Sequence, residues 1–106
     1  MAGTRPDGVI LASELTKDEY EGLADQRTFV LPLGILEEHG PHLPLGTDTF
    51  QVEAVVHEAA AATGAVVLPT LWYGNCSSTQ PFPGSISIRT ETLQLVLEDI
   101  LAELER

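Results

Sequence analysis

The sequence predicts an α/β fold in which a small parallel-type sheet is flanked by helices. Two short apolar runs, 28–33 and 65–68, have the β-branched and aromatic content of strands that are covered on both faces. Between them, residues 49–63 form an alanine-rich stretch with helical spacing. Strand, helix and strand in succession are typical of a βαβ unit, so we expect the two strands to be adjacent and parallel.

The first two elements can be placed from local signals. A short helix is expected over 17–24, because Thr16 and Glu19 have the spacing of a capping box. The first strand of the βαβ unit should end at Pro32 or have that edge unpaired, since proline has no N–H to donate to a neighbouring strand.

The central helix follows a loop over 34–46 that has no helical or strand period. Polar loops after buried strands are common places for functional residues. Thr47 and Asp48 are the expected N-caps of the helix at 49–63, and Gly64 is its expected stop. The expected buried stripe comprises Val52, Val55, Val56, Ala59 and Ala62.

The C-terminal part of the chain predicts a further strand and helix. After a loop over 72–84, residues 85–88 alternate polar and apolar side chains as a half-buried strand does, and Thr90 is expected to cap the last helix. The apolar stripe of that helix comprises Leu93, Val96, Leu97, Ile100, Leu101 and Leu104. This stripe and an unpaired sheet edge both need covering, so we expect a homo- or hetero-oligomer.

Length and charge narrow the possible functions. The 106 residues fit one domain, 1–106, and the 5 basic against 16 acidic side chains give a net charge of −11. Phosphate backbones and anionic membrane surfaces would repel this excess, so we expect neither nucleic acid nor a membrane as partner. Because Cys76 is the single cysteine and no signal-peptide pattern is seen, we expect a cytoplasmic location.

Four potential metal ligands, Glu37, His39, His42 and Asp48, fall within twelve residues. Carboxylate oxygens and imidazole nitrogens bind Zn²⁺, Mn²⁺ or Fe²⁺. In an extended segment, residues two apart face the same way, so the side chains of Glu37 and His39 can point towards one metal ion. The chain then brings Asp48 back towards that ion at the start of a helix. The alternative is a solvated loop with an ordinary helix cap at Asp48.

Other candidate residues are interpreted as structural. His57 follows Glu53 by four residues on the polar side of the central helix, where we expect a surface pair. Cys76 has no basic neighbour in sequence to activate it, so it is interpreted as a bystander thiol. Trp72 and Tyr73 close a strand and are expected to pack.

The residues from Leu31 to Thr49, which read LPLGILEEHGPHLPLGTDT, resemble the N-terminal signature of the creatininase family of metal-dependent amide hydrolases. A second stretch from Tyr73 to Thr92, which includes Phe-Pro-Gly, resembles the next block of that family. The resemblance implies half of a three-layer creatininase-like fold. It also implies an amidohydrolase that acts on a small-molecule amide or on short peptides.

The same resemblance implies roles for individual residues. Glu37 and His39 would be metal ligands, and Asp48 would be the carboxylate that bridges two ions of Zn or Mn, or of Fe. His42 would have a structural role, supporting the ligands without binding metal. No catalytic side chain is assigned.

Two departures from the family pattern qualify these roles. Family members are longer, and their second half supplies a His-Gly-Gly-Asn-type loop, the remaining histidine and glutamate ligands, and a lid. The chain is therefore expected to be an N-terminal half-domain that needs a complementary chain; the alternative is a non-catalytic remnant or a structural subunit. In addition, Thr79 stands where the family commonly has a histidine before Phe-Pro-Gly.

Overall fold

A computed structural model describes residues 5–106. In this part of the chain, three short strands form a parallel sheet in the order β1-β3-β2. The strands are β1 at Ile10–Leu11, β2 at Phe29–Val30 and β3 at Val66–Val67. Val66 is paired with both Ile10 and Phe29. The predicted α/β class and the adjacency of the two predicted strands are confirmed, although each strand is shorter than expected.

Parallel pairing resumes beyond β2, past the proline. The N–H of Leu71 donates to the carbonyl of Pro32 at 3.0 Å, and the N–H of Gly34 donates to the carbonyl of Leu71 at 2.8 Å. Pro32 thus takes part only as an acceptor, as its missing N–H requires. These bonds continue the parallel alignment from β2 to the start of the loop at 34–46.

The helices are α1 at Lys17–Leu23, α2 at Thr47–Thr63 and α3 at Thr90–Glu105. The predicted capping box of α1 is present: Glu19 N–H donates to the Thr16 hydroxyl at 3.2 Å, and Thr16 N–H donates to the Glu19 carboxylate at 3.0 Å. Gly64 ends α2 with a left-handed φ of 76°, a conformation that suits glycine.

The predicted caps of the two long helices were wrong. Thr47 and Asp48 lie inside the first turn of α2, whose N-cap is Gly46, and the Thr47 hydroxyl donates to the Pro44 carbonyl at 2.6 Å. Thr90 is likewise the first residue of α3 rather than its cap. In both cases the helix begins earlier than predicted, because the threonine is already in the helical conformation.

The buried face of α2 also differs from the predicted stripe. Val55, Ala59 and Ala62 are exposed, whereas Thr49 and Ala60 are buried. The helix therefore packs through small side chains, and Ala60 joins the core. That core comprises Val9, Ala60, Ala65 and Val67, with Leu11, Val30 and Val56 packed against it.

Residues 85–88 do not form the predicted strand. One bridge joins Gly74 to Ser87, and the N–H of Ile86 donates instead to the carbonyl of Leu36 at 3.1 Å. The segment therefore lies against the loop at 34–46 instead of extending a sheet. The hydroxyl of Ser85 accepts the N–H of Glu38 in that loop, and the hydroxyl of Ser87 accepts the N–H of Cys76 in the loop at 72–84, which explains the polar half of the alternation.

Strand β1 adjoins the core, whereas helix α3 lies on the surface. Strand β1 was not predicted, although Val9 and Ile10 are buried in the core. None of the residues of α3, all of which lie in the described range, is buried, and Leu101 is 51% exposed. Across residues 5–106 no helix combines the length and apolar character needed to cross a membrane.

Candidate metal centre

Glu37 is held at three points by other residues. Its N–H donates to the Leu45 carbonyl at 3.1 Å, which ties the two ends of the loop at 34–46 together. Its carboxylate accepts a hydrogen bond from the Thr79 hydroxyl, with 2.6 Å between Oγ1 and Oε2. Its carbonyl lies 2.9 Å from Nδ1 of His39. The backbone and the side chain of Glu37 are therefore both fixed.

The hydrogen bonds of His39 indicate how its imidazole is protonated. A carbonyl can only accept, so Nδ1 is the donor to Glu37 and Nε2 is left facing Oδ1 of Asp48 at 3.3 Å. The hydrogen bond to the Glu37 carbonyl raises the pKa of His39 above its ordinary value; desolvation opposes this rise and the charge of Asp48 adds to it.

The start of α2 places Asp48 beside Glu37 and His39. It lies in the first turn, where the helix dipole favours a carboxylate by about 0.3–1 kcal/mol when exposed. The next residue, Thr49, is fully buried and its hydroxyl bonds both the N–H of Ile35 at 2.9 Å and the carbonyl of Ile35 at 3.0 Å. The start of α2 is thus fastened to the loop that carries Glu37.

This fastening requires glycine at position 34. A methyl group on Gly34 would overlap the side chain of Thr49, which has no free space to move into because it is completely buried. The close approach of the loop to the helix therefore depends on the absence of a side chain at position 34.

The result is a compact group of three potential ligands. One ligand atom from each of Glu37, His39 and Asp48 lies within 4.8 Å of the other two. In the neutral imidazole with the proton on Nδ1, the lone pair of Nε2 faces Oδ1 of Asp48, an arrangement that a shared cation stabilises; when the imidazole is protonated at both nitrogens, Nε2 donates to that oxygen instead. One imidazole nitrogen and two carboxylates form a donor set that fits Zn²⁺ or Mn²⁺.

A cavity of about 550 Å³ opens beside this group and is lined by Glu37 and Asp48. Its other lining residues are both apolar and polar. They include Leu33, Ile35, Val52 and Val55, together with Gln51, Asn75, Ser77 and Ser78. A space of this size and mixed character suits a small polar molecule.

A second loop, over 72–84, and the segment after it hold the first loop in place. The N–H of Glu38 donates to the Ser85 hydroxyl at 2.9 Å, and the N–H of Cys76 donates to the Ser87 hydroxyl at 3.0 Å. The bond between Glu38 and Ser85 and the contact between Glu37 and Thr79 connect residues 47 and 42 positions apart in sequence, whereas the bond between Cys76 and Ser87 braces the second loop.

The structure separates the other sequence candidates from the cluster. His42 is exposed beside Gly40 and, within the described chain, makes no hydrogen bond to the three potential ligands, so its supporting role stays a prediction. Cys76 is buried and lines the cavity. His57 is half-buried rather than a surface residue, and its expected partner Glu53 accepts instead from the Thr70 hydroxyl at 2.7 Å.

The contacts to the ligand cluster that were not predicted from the sequence come from the second loop. Thr79 was noted only as the residue that replaces a family histidine, and its bond to Glu37 was not foreseen. Trp72 does pack as expected, edge-on to Phe50 with ring centroids 5.9 Å apart. Tyr73 is 47% exposed, so the expectation that it packs is only partly met.

Comparison with known proteins agrees with this architecture. The profile of the creatininase family, described as creatinine amidohydrolase, matches residues 13–106. The chain belongs to the creatininase family. It is 36% identical over 104 residues to a creatinine amidohydrolase of Pseudomonas putida, an alignment that covers 92% of this chain and 40% of that protein.

Another relative carries a peptidase name. A mycofactocin precursor peptide peptidase of Mycolicibacterium smegmatis is 43% identical over 74 residues, covering 64% of this creatininase-family chain and 30% of the peptidase. The chain spans about 40% or less of the length of the curated relatives it matches.

Solved creatininase structures share the fold. A mutant creatininase of Zn-Zn type superposes with a TM-score of 0.85 at 37% identity, covering 91% of this chain and 40% of that one. A creatininase described as the Mn form gives a TM-score of 0.87 at 35% identity, covering 92% and 41%. Both show that this family fold has been observed with divalent metals.

Proposed function

We propose that this chain supplies the N-terminal part of a divalent-metal amide hydrolase, with Glu37 and His39 as metal ligands and Asp48 as a carboxylate shared by two ions. The observation that carries the proposal is the convergence of these three side chains within 4.8 Å, with His39 oriented by the Glu37 carbonyl. The relatives named as an amidohydrolase and a peptidase both cleave C–N bonds, which supports this reaction class.

The residues of this chain would contribute in distinct ways. Glu37 and Asp48 supply negative charge at the cavity wall, and His39 keeps Nε2 available because Nδ1 donates to a carbonyl. A bound divalent ion lowers the pKa of water towards 7 and polarises a carbonyl. The cavity of about 550 Å³ gives a small amide substrate room beside the ligands.

The proposal includes a complementary segment. Three ligands cannot satisfy two ions that each take four to six, so the missing histidine and glutamate would come from residues beyond this chain or from another chain. The uncovered apolar face of α3 supports such an association, as part of a homo- or hetero-oligomer. We further propose a cytoplasmic location, two ions in the complete site, and Zn, Mn or Fe as the metal.

The test measures metal content and hydrolysis together. The chain is assayed alone, and again after mixing with the segment of the Pseudomonas putida creatinine amidohydrolase that follows its matching part. We expect weak Zn²⁺ binding alone, with gains in metal content and in creatinine hydrolysis in the mixture. Asp48→Ala should abolish both gains, whereas Asp25→Ala, which changes an exposed carboxylate outside the cluster, should retain them.

The outcomes separate the alternatives. Equal metal content in wild type and Asp48→Ala, alone and mixed, would remove this loop from the mechanism. Metal binding without hydrolysis in the mixture would favour the alternative role of a non-catalytic structural subunit.

A further inference from the structure

The Thr79 hydroxyl forms a short hydrogen bond to a proposed metal ligand. Its Oγ1 lies 2.6 Å from Oε2 of Glu37 and 3.2 Å from the carbonyl of Cys76. A hydroxyl has one proton, and the carboxylate is both the nearer and the charged acceptor, so the proton points to Glu37. The interaction joins two loops that are 42 residues apart in sequence.

Thr79 is itself held rigidly. Its N–H donates to the Cys76 carbonyl at 3.0 Å, and its carbonyl accepts from the N–H of Phe82 at 3.0 Å. Cys76 is in turn fixed by the Ser87 hydroxyl. The hydroxyl is therefore presented from a fixed backbone, and it can orient the glutamate rather than follow it.

The chemistry of a hydroxyl suits this purpose. A carboxylate has about four lone-pair positions on its two oxygens, and Thr79 occupies one of them on Oε2. Oε1 remains available to a cation, and the charge of the carboxylate is not neutralised by a single neutral donor. A glutamate whose side-chain torsions are already fixed loses less freedom when it binds a metal ion.

We propose that Thr79 is a positioning residue that orients Glu37 for divalent-metal binding. This inference rests on the proposed function, because it assumes that Glu37 is a ligand. It adds a residue from the second loop to the metal centre, at the position where the family commonly has a histidine. In this chain the residue at that position does not bind the metal itself. It acts by orienting Glu37, which does.

The chain offers a matched control for this hydrogen bond. Thr70 donates to the carboxylate of Glu53 at 2.7 Å, and both residues are half-buried, as Thr79 and Glu37 are. Neither Thr70 nor Glu53 belongs to the ligand cluster. Thr70→Val therefore removes an equivalent threonine-to-glutamate bond without touching the proposed site.

The experiment titrates the 106-residue chain with Zn²⁺ by calorimetry. We expect Thr79→Val to weaken binding about 10–100-fold, the usual cost of removing a residue that supports a ligand, and Thr79→Ser to restore it. Thr70→Val should bind as wild type does. In a Glu37→Ala background, Thr79→Val should cause no further loss, because its effect passes through Glu37.

The results distinguish a failure of the inference about Thr79 from a failure of the proposed function. Wild-type affinity in folded Thr79→Val, or an equal loss in the Glu37→Ala background, would overturn the inference while leaving the proposed function standing. Failure of the wild-type chain to bind Zn²⁺ more tightly than Asp48→Ala would instead overturn the proposed function. If circular dichroism shows that Thr79→Val is unfolded, Thr79→Ala supplies the same comparison with a smaller side chain.

Discussion

Helices α2 and α3 have nearly equal lengths, 17 and 16 residues, but they are held in different ways. The apolar residues of α3 follow a regular stripe, yet none of the helix is buried within the described structure. The apolar residues of α2 are scattered, yet Thr49 and Ala60 are buried and the helix packs on β3. The regularity of a stripe shows what a helix is able to bury, whereas close approach through small side chains decides what this chain does bury.

The largest expected difference between the helices comes from adding bulk to each. Ala60 is 2% exposed and packs in the core, so Ala60→Leu should lower the free energy of unfolding by about 2–3 kcal/mol through overpacking. Ala102 is exposed on α3, and Ala102→Leu should change it by less than about 0.5 kcal/mol. Urea unfolding followed by circular dichroism measures both; similar losses would show that α3 is packed as tightly as α2.

A smaller effect on the chain alone is expected from removing bulk on α3. Leu101 is 51% exposed, so Leu101→Ala should lower the free energy of unfolding of the chain alone by less than about 1 kcal/mol. Once a complementary segment covers the stripe, the same substitution should cost about 2–5 kcal/mol, as deletions in closed cores do. Unfolding with and without the segment tests this, and an unchanged cost in the mixture would place the covering surface elsewhere.

The smallest effect is expected on the free energy of unfolding at acidic pH, through the pairing of Arg5 with Asp7 near the core that α2 covers. The hydrogen bond from Arg5 holds the pKa of Asp7 below its ordinary value, with a further contribution from the N–H of Val9. Val9 belongs to the same core cluster as Ala60, so the interactions of Asp7 with Arg5 and with the N–H of Val9 lie at the edge of the core that α2 covers. A lowered pKa means that the stabilisation is present above the unfolded-state value and is lost as the pH falls through the folded-state value.

Asp7→Asn should therefore make the free energy of unfolding fall less steeply between about pH 5 and about pH 2. Arg5→Gln should have the same effect, and the two substitutions together should add little, because they remove one interaction. Unfolding curves recorded across this pH range provide the measurement. If the free energy of unfolding depended on pH as steeply in both variants as in the wild type, the pairing of Arg5 with Asp7 would not contribute to the stability of the α2 side.

Several parts of the fold followed from local sequence. The capping box of Thr16 and Glu19 predicted α1, and two apolar runs around an alanine-rich stretch predicted the pairing of β2 with β3. The ligand cluster was foreseen as a hypothesis from spacing, since Glu37, His39 and Asp48 are close in sequence. These features depend on residues that are neighbours in the chain or that share one supersecondary unit.

The remaining parts depend on contacts between distant residues. Strand β1 is two residues long and gives no periodic signal; it is defined by its pairing with Val66. The bond between Thr79 and Glu37 needs two loops folded against each other, and no pattern within either loop reveals it. The alternation of polar and apolar residues at 85–88 misled because Ser85 bonds the first loop and Ser87 bonds the second, instead of both facing solvent on a sheet.

The sheet order has a consequence for the time course of synthesis. Both outer strands pair with β3, which is made last of the three. Ile10 must wait for Val66, about 56 residues later, which takes about 3–11 s at the usual elongation rates of 5–20 residues per second. By the end of that interval the apolar segments of both β1 and β2 have left the peptidyl-transferase centre without their partner. The nascent chain therefore carries unpaired strands until its central one arrives, and the sheet closes from both sides onto the last strand made.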